Sequence, residues 1–307
     1  IRVFGTIGFI VAMLFVNFAN IGGVQFQTTY WQLFTSGILS FIMAGYALTM
    51  PVCPTSSSDN KKSVSDILGL KAFTLFKQKK MAIFFIFSMF LGVSLQITNS
   101  YGNTFISAFG DLADFADSFG AKNANALISL SQMSEALCIL LIPFCLKRFG
   151  IKGVMLMSMF AWVLRFGLLG AGDPGSGIWM FVLSMIVYGI AFDFFNVSGS
   201  LYIDSNAAPS QRSSAQGMFM LMTNGVGATI GTLAAQTIVN ANVFSQTTAV
   251  AQLDGWRTSW FIFAGYALVV GLLFMVLFPK QNNAATTVPN PGDSDPEGMV
   301  MENKSAK

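Results

Sequence analysis

Residues 123–146, NANALISLSQMSEALCILLIPFCL, decide the fold, because they form an apolar stretch bounded by Lys122 and Lys147. Glu135 lies near the middle of this stretch. A helix rising 1.5 Å per residue places its carboxylate about 18–20 Å from either end, near the centre of a bilayer. Ionisable groups at that depth are energetically costly and usually mark a substrate, ion or proton pathway. Asp193 lies in a second long apolar run, SMIVYGIAFDFFNVSGS, so two buried carboxylates indicate a transporter.

The composition of the whole chain agrees with a membrane protein of several spans. Of its 307 residues, 53% are hydrophobic and only 10% are charged, and the mean hydropathy is +0.61. A soluble domain of this length does not need so much apolar surface. The net charge of +3 is not gathered in a basic cluster with exposed aromatic residues, so we expect no nucleic-acid partner.

Eight apolar segments of membrane length can be identified, which predicts an all-α polytopic membrane protein. They cover approximately residues 2–20, 31–50, 81–103, 123–146, 152–171, 177–201, 213–239 and 256–279. Positive charges concentrate in the loop 51–80, between Lys147 and Lys152, at Arg212 and after residue 279. The alternate loops carry only Lys122 and Arg257. The positive-inside rule therefore predicts that the first set of loops and the C-terminus face the cytoplasm.

The long basic loop divides the spans unequally, two before it and six after it. We predict that residues 1–50 form the last two helices of an N-terminal bundle and 81–280 a C-terminal six-helix bundle. The linker 51–80 carries Ile67, Leu70, Phe73 and Phe76 at helical spacing, which predicts an amphipathic surface helix. The polar tail 281–307 is predicted to be disordered. Four helices before residue 1 would restore the six-plus-six plan of many secondary transporters, so we expect a fragment.

Polar residues in four of the predicted helices fall on single helix faces, as a shared pathway requires. The four sets are Arg2, Thr6 and Phe9; Gln96, Asn99 and Asn103; Asn125, Ser129, Gln132 and Glu135; and Tyr188, Phe192, Asp193 and Asn196. For the amides an alternative role is simple interhelical hydrogen bonding, and for the two Phe residues it is core packing. Arg2 is equally well explained as an orientation charge. Arg165 lies near the outer end of its span, where it can snorkel, and is not assigned to the site.

Together these faces suit a neutral, hydroxyl-rich ligand that carries a flat ring. Amides and carboxylates bind hydroxyl groups, and a Phe face stacks on a ring. Burial raises a carboxyl pKa toward working pH, so Glu135 or Asp193 can bind and release a coupled proton. The chain contains no His that could take this role.

Five stretches of the chain resemble the bacterial nucleoside:proton symporters, which are nucleoside permeases of the major facilitator superfamily. They are RVFGTIGF, MAIFFIFSMFLGVSLQITNSYGNTF, SQMSEAL, SMIVYGIAFDFFNVSGS and SAQGMFMLMTNG. The resemblance extends from residue 1 to about residue 280. It implies a twelve-helix fold of which this chain supplies helices five to twelve, so that the chain alone is expected to be inactive.

The resemblance also implies the ligand, the site and the location of the protein. Nucleosides, both purine and pyrimidine, would contact Arg2, Thr6, Phe9, Gln96, Asn99, Gln132, Glu135, Tyr188, Phe192 and Asp193. The polar members would hold the ribose hydroxyls, and the aromatic members would lie against the base. The family is monomeric, lies in the bilayer of the bacterial cytoplasmic (inner) membrane and uses the proton gradient without a cofactor.

Three other functions remain open from the sequence. The nearest is a major facilitator transporter for another polyhydroxylated solute, such as a sugar. An intramembrane enzyme is disfavoured, because zinc chemistry of the HExxH kind and a Ser–His dyad both need His, which the chain lacks. We therefore expect no enzymatic activity. The third is a receptor or scaffold that binds a nucleoside without moving it.

Overall fold

The computed structural model describes residues 2–51 and 70–279, and helices dominate both parts. The long helices are α1 (Arg2–Phe18), α2 (Trp31–Ala47), α3 (Lys79–Ala108), α4 (Ala124–Ala171), α5 (Ile178–Asn206), α6 (Arg212–Phe244) and α7 (Ala249–Leu277). A two-stranded antiparallel hairpin, β1 (Asn20–Ile21) and β2 (Val24–Gln25), follows α1. The all-α fold class predicted from the sequence is confirmed.

Helix α4 contains two of the predicted spans, joined by a sharp bend. Its 48 residues would measure about 72 Å as a straight rod, more than twice the thickness of a bilayer core. Gly150 interrupts it with φ 68° and ψ 172°, a conformation that glycine adopts without steric cost. The arm before Gly150 and the arm after it therefore serve as separate spans. With both arms counted, the described residues contain the eight predicted spans.

Most helices extend beyond the apolar stretches that predicted them. Helix α7 begins at Ala249, seven residues before the predicted start at 256, and α5 continues to Asn206 rather than ending at 201. The additional turns carry polar residues. They remain helical because a helix pairs its own backbone groups at the membrane surface. Helix α6 also contains two π-helical segments, Leu221–Gly227 and Asn240–Phe244, which hydropathy could not predict.

The linker helix differs from the prediction in the part that is described. Residues 52–69 lie outside the described structure, and Leu70–Lys77 forms a 3₁₀ helix. With three residues per turn, Ala72 and Leu75 share a face, and both are buried. Phe73, predicted to lie on the apolar face, is instead half exposed. The predicted disordered tail also lies outside the described residues, so the predicted domain limits stay predictions.

Close packing between α5 and the first arm of α4 positions the candidate site. A Cβ added at Gly189 would lie 2.6 Å from the backbone oxygen of Ser134, so only glycine permits this approach. The hydroxyl of Ser134 donates a hydrogen bond to the backbone carbonyl of Ile186. These contacts fix the neighbouring turns of both helices, which carry Glu135 and Tyr188. Small residues at such crossings are typical of helix packing in membranes.

Candidate functional site

A cavity of about 510 Å³ lies between α1, α3, both arms of α4 and α5. Cavities of roughly 300–1,000 Å³ are typical of small-molecule sites. Polar side chains reach it from three helices, with Asn99 on α3, Gln132 and Glu135 on α4, and Tyr188 on α5. Apolar side chains such as Phe9 on α1 complete the lining. The predicted polar faces of separate helices therefore meet at one cavity.

Six of the ten predicted site residues line this cavity, namely Phe9, Asn99, Gln132, Glu135, Tyr188 and Phe192. Gln132 and Glu135 are three residues apart on α4, so both side chains reach the cavity from one helix face. Glu135 is only 7% exposed. Its position, eleven residues after Ala124, places it about 16 Å along α4. The carboxylate predicted to lie deep in the membrane is thus part of the cavity wall.

The other four predicted residues do not belong to the described cavity lining. Thr6 is buried on α1, and Gln96 is half-buried and donates a hydrogen bond to the hydroxyl of Ser100 at 3.1 Å. Asp193 is fully buried on α5, near enough to interact electrostatically with Tyr188 and Cys138. The backbone of Arg2 begins α1, and its side chain lies outside the described structure.

Aromatic rings form one wall of the cavity. The rings of Tyr188 and Phe192 on α5 are nearly parallel, with centroids 5.8 Å apart and an interplanar angle of 9°. Trp162 on the second arm of α4 meets Tyr188 edge-on, with centroids 5.9 Å apart. Phe9 lies on α1 and is 53% exposed within the described structure. Such flat apolar surfaces bind the faces of planar ring systems.

Arg165 belongs to the cavity, although the sequence analysis left it out. Its side chain is 2% exposed and lines the cavity from the second arm of α4. The guanidinium carbon lies 4.5 Å from the centroid of the Tyr188 ring. Its Nη1 donates to the backbone carbonyl of Ser184 at 2.8 Å, and its Nε donates to the hydroxyl of Thr98 at 3.4 Å. The snorkelling interpretation is therefore wrong.

A sequence pattern could have identified the inward direction of Arg165. Ser158, Trp162, Arg165 and Leu169 follow one another at spacings of four, three and four residues, so they share one helix face. All four side chains are buried. A charged residue on a face that otherwise carries a tryptophan, a serine and a leucine points into the bundle. The distance of Arg165 from the end of its span, taken alone, predicted the wrong direction for its side chain.

Neutral amides form the edge of the cavity nearest the start of α4. Asn103 donates to the side-chain oxygen of Asn125 at 2.5 Å, and Asn125 donates to that of Gln27 at 3.0 Å. Nearby, Asn17 donates to the side-chain oxygen of Asn123 at 2.9 Å. Asn103 and Asn125 line the cavity, whereas Asn17 and Asn123 lie outside its lining. These bonds connect α1 and the segment after the hairpin to α3 and α4.

The arrangement can bind a polar ligand and exchange a proton with it or beside it. Glu135, Asp193 and Arg165 all interact electrostatically with Tyr188, and the Arg165 guanidinium lies against its ring. Amides supply further donors and acceptors. Among the described residues, no three His, Cys, Asp or Glu side chains gather as a metal site requires.

A helical bundle with membrane-length helices and a polar cavity between them defines a multi-pass membrane protein of the transporter class. The family model described as "Nucleoside H+ symporter" matches residues 1–283. The chain belongs to this family. The resemblance found in the sequence is thus confirmed.

Two proteins of Escherichia coli (strain K12) are similar to the chain. The nucleoside permease NupG and the xanthosine permease are each 48% identical to it over 279 residues, which cover 91% of this chain. In both cases the match covers 64% of the relative. The chain thus spans slightly less than two thirds of the length of these curated relatives.

Crystal structures of the nucleoside transporter NupG have the same fold. An aspartate-to-alanine mutant of NupG superimposes with a TM-score of 0.79 at 46% identity, covering 91% of this chain and 67% of that one. A second NupG structure gives a TM-score of 0.77, again at 46% identity, with 92% and 67% coverage. The fold is therefore of the major facilitator type.

Proposed function

We propose that the protein carries nucleosides together with protons across the bacterial inner membrane by alternating access. The cavity between α1, α3, α4 and α5 is the nucleoside site in this proposal. The family of the chain and the printed names of its relatives, which are nucleoside and xanthosine permeases, support this substrate class.

The observation that carries the proposal is the chemistry of the cavity wall. One side presents the nearly parallel rings of Tyr188 and Phe192. Glu135 and Gln132 reach the same space from α4. Rings suit a nucleobase, and a carboxylate with a neighbouring amide suits the vicinal hydroxyls of ribose. A nucleoside contains both parts, joined in one neutral molecule.

Proton coupling is assigned to the buried carboxyl groups. Glu135 lies in the cavity wall and Asp193 lies behind it, within electrostatic reach of the same tyrosine. A carboxylate at this depth is unstable as a charge unless it is paired or protonated. We assign the coupled proton to one of these two groups, and the remaining predicted residues, Arg2, Thr6, Phe9, Gln96 and Asn99, to the nucleoside site.

The remaining features of the proposal follow the loop charges and the family. The C-terminus lies in the cytoplasm, because the basic loops follow the positive-inside rule. The monomeric state is taken from the family. It uses the proton gradient without a cofactor and catalyses no chemical reaction.

The proposal is tested by uptake of tritiated uridine and adenosine. The protein is expressed from its intact gene in cells that lack their own nucleoside permeases. Uptake is measured with and without a protonophore, and with an excess of unlabelled inosine, glucose or xylose. We expect protonophore-sensitive accumulation of both nucleosides, competed by inosine and not by the sugars.

Two results would contradict the proposal in different ways. Competition by sugars but not by inosine would identify a transporter for another polyhydroxylated solute. Nucleoside binding to the purified protein without accumulation in cells would identify a receptor or scaffold instead.

A further inference from the structure

Arg165 is the single cationic side chain in the described lining of the cavity. The position is unusual, because a buried guanidinium in a membrane helix is costly unless it serves a ligand or a partner. Its contacts to protein are a hydroxyl, a backbone carbonyl, a thioether sulfur and a ring face, and no carboxylate contacts it among the described residues.

The geometry leaves part of the guanidinium to the cavity. An arginine offers five N–H donors in a fixed plane. Nε donates to the Thr98 hydroxyl, and Nη1 donates to the Ser184 carbonyl and to the sulfur of Met185. Nη2 makes no hydrogen bond to any described residue. Because the side chain lines the cavity, the two donors of Nη2 are left for a molecule bound there.

The plane of the guanidinium is held in place by its neighbours. It lies 4.5 Å above the Tyr188 ring, which is itself enclosed by Trp162 and Phe192. Stacking of arginine on an aromatic ring fixes the orientation of its donors more firmly than the flexible chain alone would. The donors are therefore pre-arranged rather than recruited by the ligand.

We propose that Arg165 determines which nucleobases are preferred, by donating a hydrogen bond from Nη2 to a carbonyl oxygen of the base. This inference rests on the proposed nucleoside site. In the proposed site the base lies against Phe192, and Arg165 covers the neighbouring Tyr188 ring, so an edge of the base can lie beside the guanidinium. A guanidinium donates and never accepts. It therefore favours an oxo group on the base and gives nothing to an amino group at the same place.

The test uses three purine ribosides that differ at position 6 of the base, and of which inosine alone also carries a proton on N1. Inosine has an oxo group there, adenosine an amino group, and purine riboside only hydrogen. Equilibrium binding of each is measured on the purified protein expressed from its intact gene, as wild type and as Arg165→Met. Methionine keeps an apolar stem of similar length and removes every donor. Arg148→Met is the matched control, because Arg148 is exposed and remote from the cavity lining.

For the wild type we expect inosine to bind about tenfold more tightly than purine riboside, the usual scale for a hydrogen bond from a charged donor. Arg165→Met should lower the affinity for inosine to that for purine riboside, whose own affinity stays nearly unchanged. Arg148→Met should preserve the tenfold difference. Equal affinity of the wild type for inosine and purine riboside would overturn the inference without any variant, so the test survives even if Arg165→Met does not fold. An unchanged ratio in a folded Arg165→Met protein would overturn it too.

The outcome separates this inference from the proposed function. If no riboside binds to the wild type, the nucleoside site itself is wrong. If all three bind equally well, the site stands and only the role of Arg165 falls. An equal loss of affinity for all three ribosides in Arg165→Met would show that Arg165 supports the cavity wall without discriminating between bases. That result would also overturn the inference.

Discussion

Two regions of the cavity are built from different kinds of polar group. Around Tyr188 lie charged residues, Glu135 and Arg165 in the wall and Asp193 behind it. At the edge near the start of α4, Asn103 and Asn125 form an amide pair, and a second amide pair, Asn17 with Asn123, lies outside the cavity lining. The first group lies within α4 and α5, whereas amide bonds also join α1 and the hairpin segment to α3 and α4.

The difference concerns what each contact must do. A charge buried in a membrane is so costly that it is kept only where ligand binding or proton transfer requires it. A neutral amide pair contributes only about 1 kcal/mol net, because each partner exchanges one hydrogen bond for another with water. Such bonds hold two helices together and are still easily broken. We therefore expect substitutions around Tyr188 to change transport and substitutions in the Asn17–Asn123 pair to change stability only slightly.

The largest effect is expected for the two carboxyl groups. Glu135→Gln and Asp193→Asn should each impair proton-driven uptake of uridine, and the one that removes the coupling group should abolish accumulation above the external concentration, because an amide cannot carry a proton. Counterflow exchange of uridine in proteoliposomes without a proton gradient provides the control for a folded, binding-competent protein. Should either variant still concentrate uridine in energised cells, that carboxyl group does not carry the coupled proton.

A smaller effect is expected at the aromatic wall. Phe9→Ala should weaken the binding of every nucleoside by about tenfold, the scale of a lost aromatic stacking contact together with its buried area. Phe4→Ala is the matched control, because Phe4 lies on the same helix, is 79% exposed and is absent from the cavity lining. Isothermal titration with uridine and adenosine measures the effect. Equal affinities for the Phe9 and Phe4 variants would return Phe9 to a packing role.

The amide pair outside the cavity should matter for stability and not for affinity. Asn17 is 2% exposed and donates to Asn123, so Asn17→Ala should cost about 1 kcal/mol of unfolding free energy. Asn224→Ala removes an exposed amide elsewhere and should cost nothing measurable. Thermal unfolding in detergent, with and without uridine, records both. A uridine affinity that falls in Asn17→Ala would contradict the separation of the two regions.

The smallest effect is expected for the exposed ion pair beside the amide edge. The hydrogen bond and charge of Lys122, 2.8 Å away, hold the pKa of Asp117 below its usual value. A lowered folded-state pKa stabilises the fold above the usual carboxyl range, and that contribution is lost as pH falls through the lowered value. Both side chains are largely exposed, so Asp117→Asn should leave the unfolding temperature unchanged at pH 7 and at pH 4. A clear fall at pH 7 alone would show that the pair is stronger than an ordinary surface contact.

Hydropathy and helical spacing were sufficient for the spans and for the main wall of the cavity. Gln132 and Glu135 line the same cavity, as predicted, because a three-residue spacing on one helix determines a shared face. The pairing of Asn103 with Asn125 could not be predicted, since both lie on polar faces and only packing decides whether an amide meets a ligand or another amide. The π-helical segments of α6 likewise leave no signal in the pattern of apolar residues.

Arg165 shows where the sequence reasoning failed. Its distance from the end of the span suggested a side chain that reaches for the membrane surface. The bend at Gly150 and the packing of α4 on α5 instead turn its face toward Ser184 and Tyr188. The direction of a helix face depends on its neighbours, which hydropathy does not record. The surrounding pattern of Ser158, Trp162 and Leu169 was the better guide.

The location of bound uridine tests the central claim most directly. A structure of the protein determined with uridine should show the base against Phe192 and Tyr188, with the ribose within hydrogen-bonding distance of Glu135 or Gln132. Uridine density anywhere outside this cavity, or ribose hydroxyls that contact neither α4 residue at saturating ligand, would contradict the account.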